Sequence, residues 1–207
     1  CSSRRSERRC GNPAASTATR SIHRDNRMSK KPKGPFVPLN VAVLTVSDSR
    51  TRDNDTSGDL IQERLETAGH KVAARAILQD DVEKLRAQVR AWMADKNVDA
   101  VISTGGTGLT KRDVTVEALT PLLTKLIPGF GELFRWLSYE EIGTSTIESR
   151  AFAGVADDTL VFCLPGSTGA CRMGMDKIIL PQLNATTAPC NLTEMLPRIR
   201  HDPAPIL

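Results

Sequence analysis

One stretch constrains the chain more than any other: Val98-Asp-Ala-Val-Ile-Ser-Thr-Gly-Gly-Thr-Gly108, followed directly by Leu-Thr-Lys-Arg-Asp-Val-Thr-Val-Glu-Ala-Leu119. A short β-branched apolar run reads as a strand covered on both faces, and the glycines end it. Helix-forming residues follow. A strand that stops at a glycine turn and re-enters a helix belongs to alternating α/β architecture, in which ligands gather beyond the carboxyl ends of the strands. Glycines let backbone approach a ligand closely, and unpaired N–H groups at a helix start favour anions. By glycine content alone, a tight structural turn accounts for the loop equally well.

The rest of the chain fits that frame. Asn40–Ser47 is a second continuous apolar run, followed by the polar loop Asp48–Thr56 and a helix from about Ser57 to Ala68 closed by Gly69. Val72–Leu78 reads as a strand. Asp80-Asp-Val-Glu83 opens a helix that carries Val82, Leu85, Val89, Trp92 and Met93 at helical spacing, the last two as core residues. Thr115 is the expected N-cap of the next helix, Pro128-Gly129 its expected end, and Gly131–Ile142 a further helix. Ala151–Ala156 and Thr159–Leu164 form a hairpin around Asp157-Asp158, and Pro165-Gly-Ser-Thr168 turns into a final helix through Leu183. The strands ending at Val46, Ser103 and Leu164 should therefore meet on one rim.

Composition bounds the alternatives. Of 207 residues, 40% are apolar and 25% charged, as in a soluble globular domain, and no run is long enough for a membrane span. Aromatics make up only 4%, too few for a base-stacking surface, so nucleic acid is not an expected partner. The net charge of +4 is unevenly spread: residues 1–33 hold ten Lys/Arg against Glu7 and Asp25, leaving a balance of −4 on the remainder. Residues 1–36 read as a disordered basic leader, with Met28-Ser-Lys-Lys as the expected true start; a transit peptide or a nucleic-acid contact are the other readings. Residues 37–191 form the expected ligand-binding domain and 192–207 a C-terminal tail. Five cysteines without CxxC or Cys/His spacing argue against zinc and for reduced thiols in the cytoplasm.

Gly105-Gly-Thr-Gly108 fits neither GxxxxGK[ST] nor GxGxxG. Set among its neighbours it becomes recognisable. GGTGLTKRDVTVEAL, PGFGELFRWLSYEEIGTSTIESRAFAGV and LPGSTGACRMGMDKIILPQL, in this order, resemble the MoaB/Mog family of molybdenum cofactor biosynthesis proteins. EEIGTSTIESRA and Ala188-Pro-Cys-Asn191 place it nearest the MoaB branch, and the likeness runs from about Leu39 to Asn191.

The resemblance implies a three-layer α/β sandwich with a mostly parallel central sheet, assembled as a homo-oligomer (trimer or hexamer). It implies molybdopterin as ligand, adenylylated with ATP and Mg²⁺ in competent members. The family's two catalytic carboxylates match Asp80 and Asp113. Some members of this branch lack the first, so having both favours turnover; a non-catalytic molybdopterin carrier is the alternative.

Each residue also has a plainer reading. Asp80 with Glu83 has capping-box spacing, and Asp113 can be a solvated loop carboxylate. Arg112 and Lys111 suit a phosphate or simply solvent. Gly166 and Ser167 resemble a second anion-binding turn, although capping explains Ser167 as well. Asp55, Ser57 and Gly58 start a helix near the same rim. Thr144, Ser145 and Thr146 either touch the pterin or support their loop. His70 has no visible triad partner.

Overall fold

A computed structural model describes residues 34–201, so the basic leader through Met28, with Cys1 and Cys10, lies outside the described residues. The elements in chain order are β1 (Asn40–Val46), α1 (Thr56–Thr67), β2 (Lys71–Leu78), α2 (Val82–Ala94), β3 (Ala100–Thr104) and α3 (Thr115–Leu119). There follow β4 (Lys125–Leu126), α4 (Pro128–Ile142), β5 (Phe152–Ala156), β6 (Thr159–Leu164), α5 (Thr168–Gly174), α6 (Leu180–Leu183) and α7 (Leu196–His201). A π-helical turn, Met175–Ile179, joins α5 to α6.

The sheet runs β2-β1-β3-β6-β5-β4. The pairs β1–β2, β1–β3 and β3–β6 are parallel, whereas β5 and β4 add antiparallel at one edge. The hairpin expected from Ala151–Ala156 and Thr159–Leu164 is therefore real, its first strand starting at Phe152, and it closes the parallel part of the sheet.

Alternation along the central strands divides the interior in two. Val41, Val43, Ile102, Leu160, Phe162 and Leu164 face one core with Ile61, Leu65, Phe134 and Met175. Ala42, Leu44, Val101, Val161 and Cys163 face the other with Leu85, Val89, Trp92 and Leu119. Both faces are covered, which is why these strands are continuously apolar instead of alternating with polar residues.

Three details depart from expectation. Pro128 opens α4 instead of ending a helix, because proline lacks only an N–H that the first turn leaves free anyway. The preceding helix stops after five residues and passes into a 3-10 turn, Thr120–Leu122. The stretch 192–201, expected as tail, folds back: Leu196 is buried, with Leu192 and Ile199 packed beside it on the first core. Among the described residues no helix is long and apolar enough to cross a membrane.

Candidate functional site

The carboxyl ends of β1, β3 and β6 lie side by side, as their parallel register requires. Above them the chain leaves β3 through Gly105 and Gly106, with φ of 98° and 64°, a left-handed backbone that side chains resist. Close packing excludes a side chain at both positions. A Cβ at Gly105 would strike the Val46 carbonyl, and one at Gly106 would lie 2.7 Å from Asp80 Oδ1. The Gly105 amide donates to Leu164 O at 3.0 Å, and Thr115 returns two bonds, N–H to Gly106 O at 2.9 Å and Oγ1 to Gly105 O at 2.8 Å. Thr115 is thus not the cap of α3: Val114 holds that position without a side-chain bond, and the Thr115 hydroxyl is turned back to brace the loop. Among the described residues no acceptor takes the Gly106 or Thr107 amide hydrogen. Thr107 is buried, while Gly106 and Gly108 reach the surface.

Two aspartates flank this loop. The cap of α2 is Asp81, whose Oδ1 accepts from Glu83 N and Lys84 N at 3.0 Å each. Asp80 is therefore released from the capping role that its spacing allows, and its carboxylate sits against Gly106. Burial raises the Asp80 pKa above the ordinary value, the charges of Asp48 and Asp113 raise it further, and Arg112 only partly offsets them. Asp113 accepts from Thr110 N at 2.8 Å and Thr110 Oγ1 at 2.6 Å, and its carboxylate lies over Gly108. Burial opposes its charge, but the bonds from Thr110 and Gly108 and the charge of Arg150 prevail and hold its carboxyl below the usual range. Arg112 extends across the loop to an ion pair with Asp48; Lys111 is exposed.

The second turn closes the rim. Gly166 packs closely on the first turn: a Cβ there would sit 3.3 Å from Gly105 Cα, a few tenths of an ångström tighter than usual. Ser167 caps α5, accepting from Ala170 N at 3.3 Å, and Ser57 Oγ donates to Gly166 O at 3.0 Å. Asp55 caps α1 through Gly58 N at 3.0 Å and also receives Thr45 Oγ1 at 2.7 Å and Arg75 Nη2 at 2.6 Å. Burial works against its charge, yet these donors hold its carboxyl below the usual range. Asp55 and Gly58 thus shape the rim from beneath it. Thr144 and Ser145 lie exposed on a 3-10 turn, Gly143–Glu148, and no hydrogen bond ties their side chains to the glycine loop; Thr146 is buried and donates to Arg135 O at 3.0 Å.

Sequence reading overlooked Arg150, Asp48 and Glu117. Arg150 Nε donates to Gly108 O at 2.8 Å and its Nη2 to Asp113 O at 3.1 Å, and the guanidinium pairs with Glu117. Its place inside the EEIGTSTIESRA motif was the available signal; its contacts depend on tertiary structure. His70 is buried and accepts from Leu39 N at 3.1 Å, away from this rim.

Among the described residues no group of three or more His, Cys, Asp or Glu side chains cages a metal unaided. Mg²⁺, however, characteristically takes one or two carboxylates and fills its shell with water and substrate phosphate. Asp80 and Asp113, whose charges repel each other, offer that kind of partial donor set.

The family model described as "Probable molybdopterin binding domain" matches residues 42–185. The molybdenum cofactor biosynthesis protein B of Escherichia coli (strain K12) is 53% identical over 156 residues, 75% of this chain and 92% of that protein. Its Bacillus subtilis (strain 168) namesake is 52% identical over 142 residues, 68% of this chain and 84% of that protein. A crystal structure of a molybdenum cofactor biosynthesis protein B superposes with a TM-score of 0.74 at 42% identity, covering 82% of this chain and all (100%) of the other. The tungsten cofactor synthesizing protein MoaB from Pyrococcus furiosus gives a TM-score of 0.65 at 34% identity, over 81% of this chain and 100% of its own. Together with the glycine loop and the three motifs in order, these likenesses establish that the chain belongs to the MoaB/Mog family of molybdenum cofactor biosynthesis proteins.

Proposed function

We propose that this chain binds molybdopterin and adenylylates it with MgATP, releasing pyrophosphate. The observation that carries the reading is the Asp80 carboxylate, spared from capping, held against Gly106 and electrostatically unfavourable beside Asp48 and Asp113. A folded protein tolerates such a cluster most readily where a ligand relieves it.

In this scheme a terminal phosphate oxygen of molybdopterin forms a bond to the α-phosphorus of ATP. The bond from that phosphorus to the bridging oxygen of the β-phosphate breaks, and pyrophosphate departs. A phosphate nucleophile is already ionised at neutral pH and needs no general base, so the protein's task is positioning and charge compensation. The Gly106 and Thr107 amides receive a phosphate, Gly166 and Ser167 bound the same rim, and Arg112 offsets negative charge once ligand draws it from Asp48. Asp80 and Asp113 would hold Mg²⁺, which when bound neutralises phosphate oxygens. In an assay of pure protein with molybdopterin and MgATP, the wild type releases pyrophosphate and Asp113→Ala loses roughly 10²–10³-fold in rate. Tight molybdopterin binding without any pyrophosphate would make the chain a carrier instead.

Self-association is part of the same proposal. α4 exposes Trp136 (64%), Tyr139 (57%) and Ile142 (55%), with Ile147 (77%) just beyond it, more large apolar surface than one helix of a monomer usually leaves in water. The expected assembly is a trimer or hexamer, and Trp136→Glu should lower the mass measured by light scattering.

A further inference from the structure

We infer that Arg150 is a positioning residue that sets the glycine loop and Asp113 in register for the proposed adenylyl transfer. The inference rests on that reaction for its kinetic consequences, but its structural content does not.

Arg150 reaches the site from the segment after the 3-10 turn, not from the loop itself. Its Nε donates to Gly108 O at 2.8 Å and, more weakly, to Thr107 O at 3.4 Å, while its own backbone N–H donates to Thr107 O at 3.3 Å. Nη2 donates to Asp113 O at 3.1 Å, so one planar fork ties the carbonyls at both ends of the Gly108–Asp113 excursion. Glu117, on the first turn of α3, holds the other side of the guanidinium at both carboxylate oxygens. The Arg150 side chain is 27% exposed, so these bonds are partly shielded from water.

The arginine is itself fixed from behind. Arg135 on α4 donates to Ser149 O at 3.4 Å and Ala151 O at 3.3 Å, gripping the chain on either side of residue 150, and Thr146 Oγ1 returns a bond to Arg135 O. The result is a rigid path from α4 through Arg150 to the backbone carrying Gly108 and Asp113. None of the Arg150 contacts goes to the Asp113 carboxylate, which Thr110 holds. Arg150 therefore leaves that carboxylate available and governs where it stands. Lysine offers one compact ammonium and can serve only part of this set.

The experiment uses the full chain and the variants R150Q, R150K and E117Q. Hydrogen exchange at the Gly108, Thr110 and Asp113 amides, each hydrogen-bonded within the loop, measured without substrates, should speed up at least tenfold in R150Q with the melting temperature little changed. In the pyrophosphate assay kcat should fall about 10²-fold in R150Q while KM for MgATP stays within about threefold, and R150K should recover part of the loss. In the Asp113→Ala background, R150Q should cost under about threefold more, because the two act as a unit. If R150Q fails to fold, E117Q, which loosens the fork but leaves the carbonyl bonds, should show the same amide acceleration in smaller measure.

Unchanged loop exchange in a folded R150Q, or a rate loss fully independent of Asp113, would overturn the inference. A wild type that releases no pyrophosphate would sink the proposed reaction alone, since the exchange result still decides the role of Arg150.

Discussion

Two aspartates in the loops that follow neighbouring strands show opposite solutions to the same problem. Asp55 follows β1 and is buried beside an equally buried Arg75, with two further donors, Thr45 Oγ1 and Gly58 N, aimed at its carboxylate. Asp80 follows β2, partly exposed, with Asp48 and Asp113 as its like-charged company and Arg112 as the opposing charge. The first carboxylate is satisfied within the protein and stabilises the rim; the second, in the reaction we propose, is satisfied by what the protein binds. Burial alone does not separate structural from functional carboxylates. The partners do.

The largest effect should come from breaking the satisfied corner. Asp55→Ala leaves the Arg75 guanidinium buried without its principal partner, and the cost is expected at about 3–5 kcal/mol of unfolding free energy, measured by denaturant titration. Asp59, on the exposed side of Arg75, can take up only part of that charge.

Gly106→Ala comes next. It forces a Cβ into Thr115 Oγ1 and Asp80 and requires a left-handed alanine, so a loss of about 1–3 kcal/mol is expected, with pyrophosphate release abolished. Asp80→Asn should do the reverse to stability. Removing a charge from a repulsive, partly desolvated cluster should raise it by about 1 kcal/mol or less while activity is lost.

The smallest effect is a difference in pH dependence. Asp55 has a folded pKa below its ordinary 3.8, so its contribution is complete above that value and is lost as pH falls through the lowered one. Asp80 has a folded pKa above 3.8, so the folded state is favoured while it is protonated and that advantage disappears as pH rises through the raised value. Denaturation curves across pH should accordingly show the Asp80→Asn gain growing toward neutrality and fading in acid. The Asp55→Ala loss should also be largest at neutral pH and shrink in strong acid, with the opposite sign.

Much of this was legible in the chain. Continuous apolar runs identified the central strands because the sheet is covered on both faces, and the convergence of Val46, Ser103 and Leu164 on one rim follows from parallel pairing. The short range of capping rules is where legibility ended. Asp80 and Asp81 both have plausible cap spacing, and only backbone geometry gives the cap to Asp81. Thr115 looked like a cap because the residue type suits one, yet its hydroxyl is claimed by a carbonyl ten residues back. Arg150 was missed for the same reason: its partners lie 33–43 residues away in sequence. Residues 192–201 do carry Leu192, Met195, Leu196 and Ile199 at helical spacing, but the run is short and holds Pro197, and it folds because Leu196 finds a place in an existing core.

The most direct test of the account compares pyrophosphate release by Asp80→Asn and Asp113→Asn with that of wild type, at saturating molybdopterin and MgATP. Wild type should release pyrophosphate, each variant should fall by at least about 10²-fold, and all should fold, with Asp80→Asn no less stable than wild type. Wild-type rates in either variant would contradict the account.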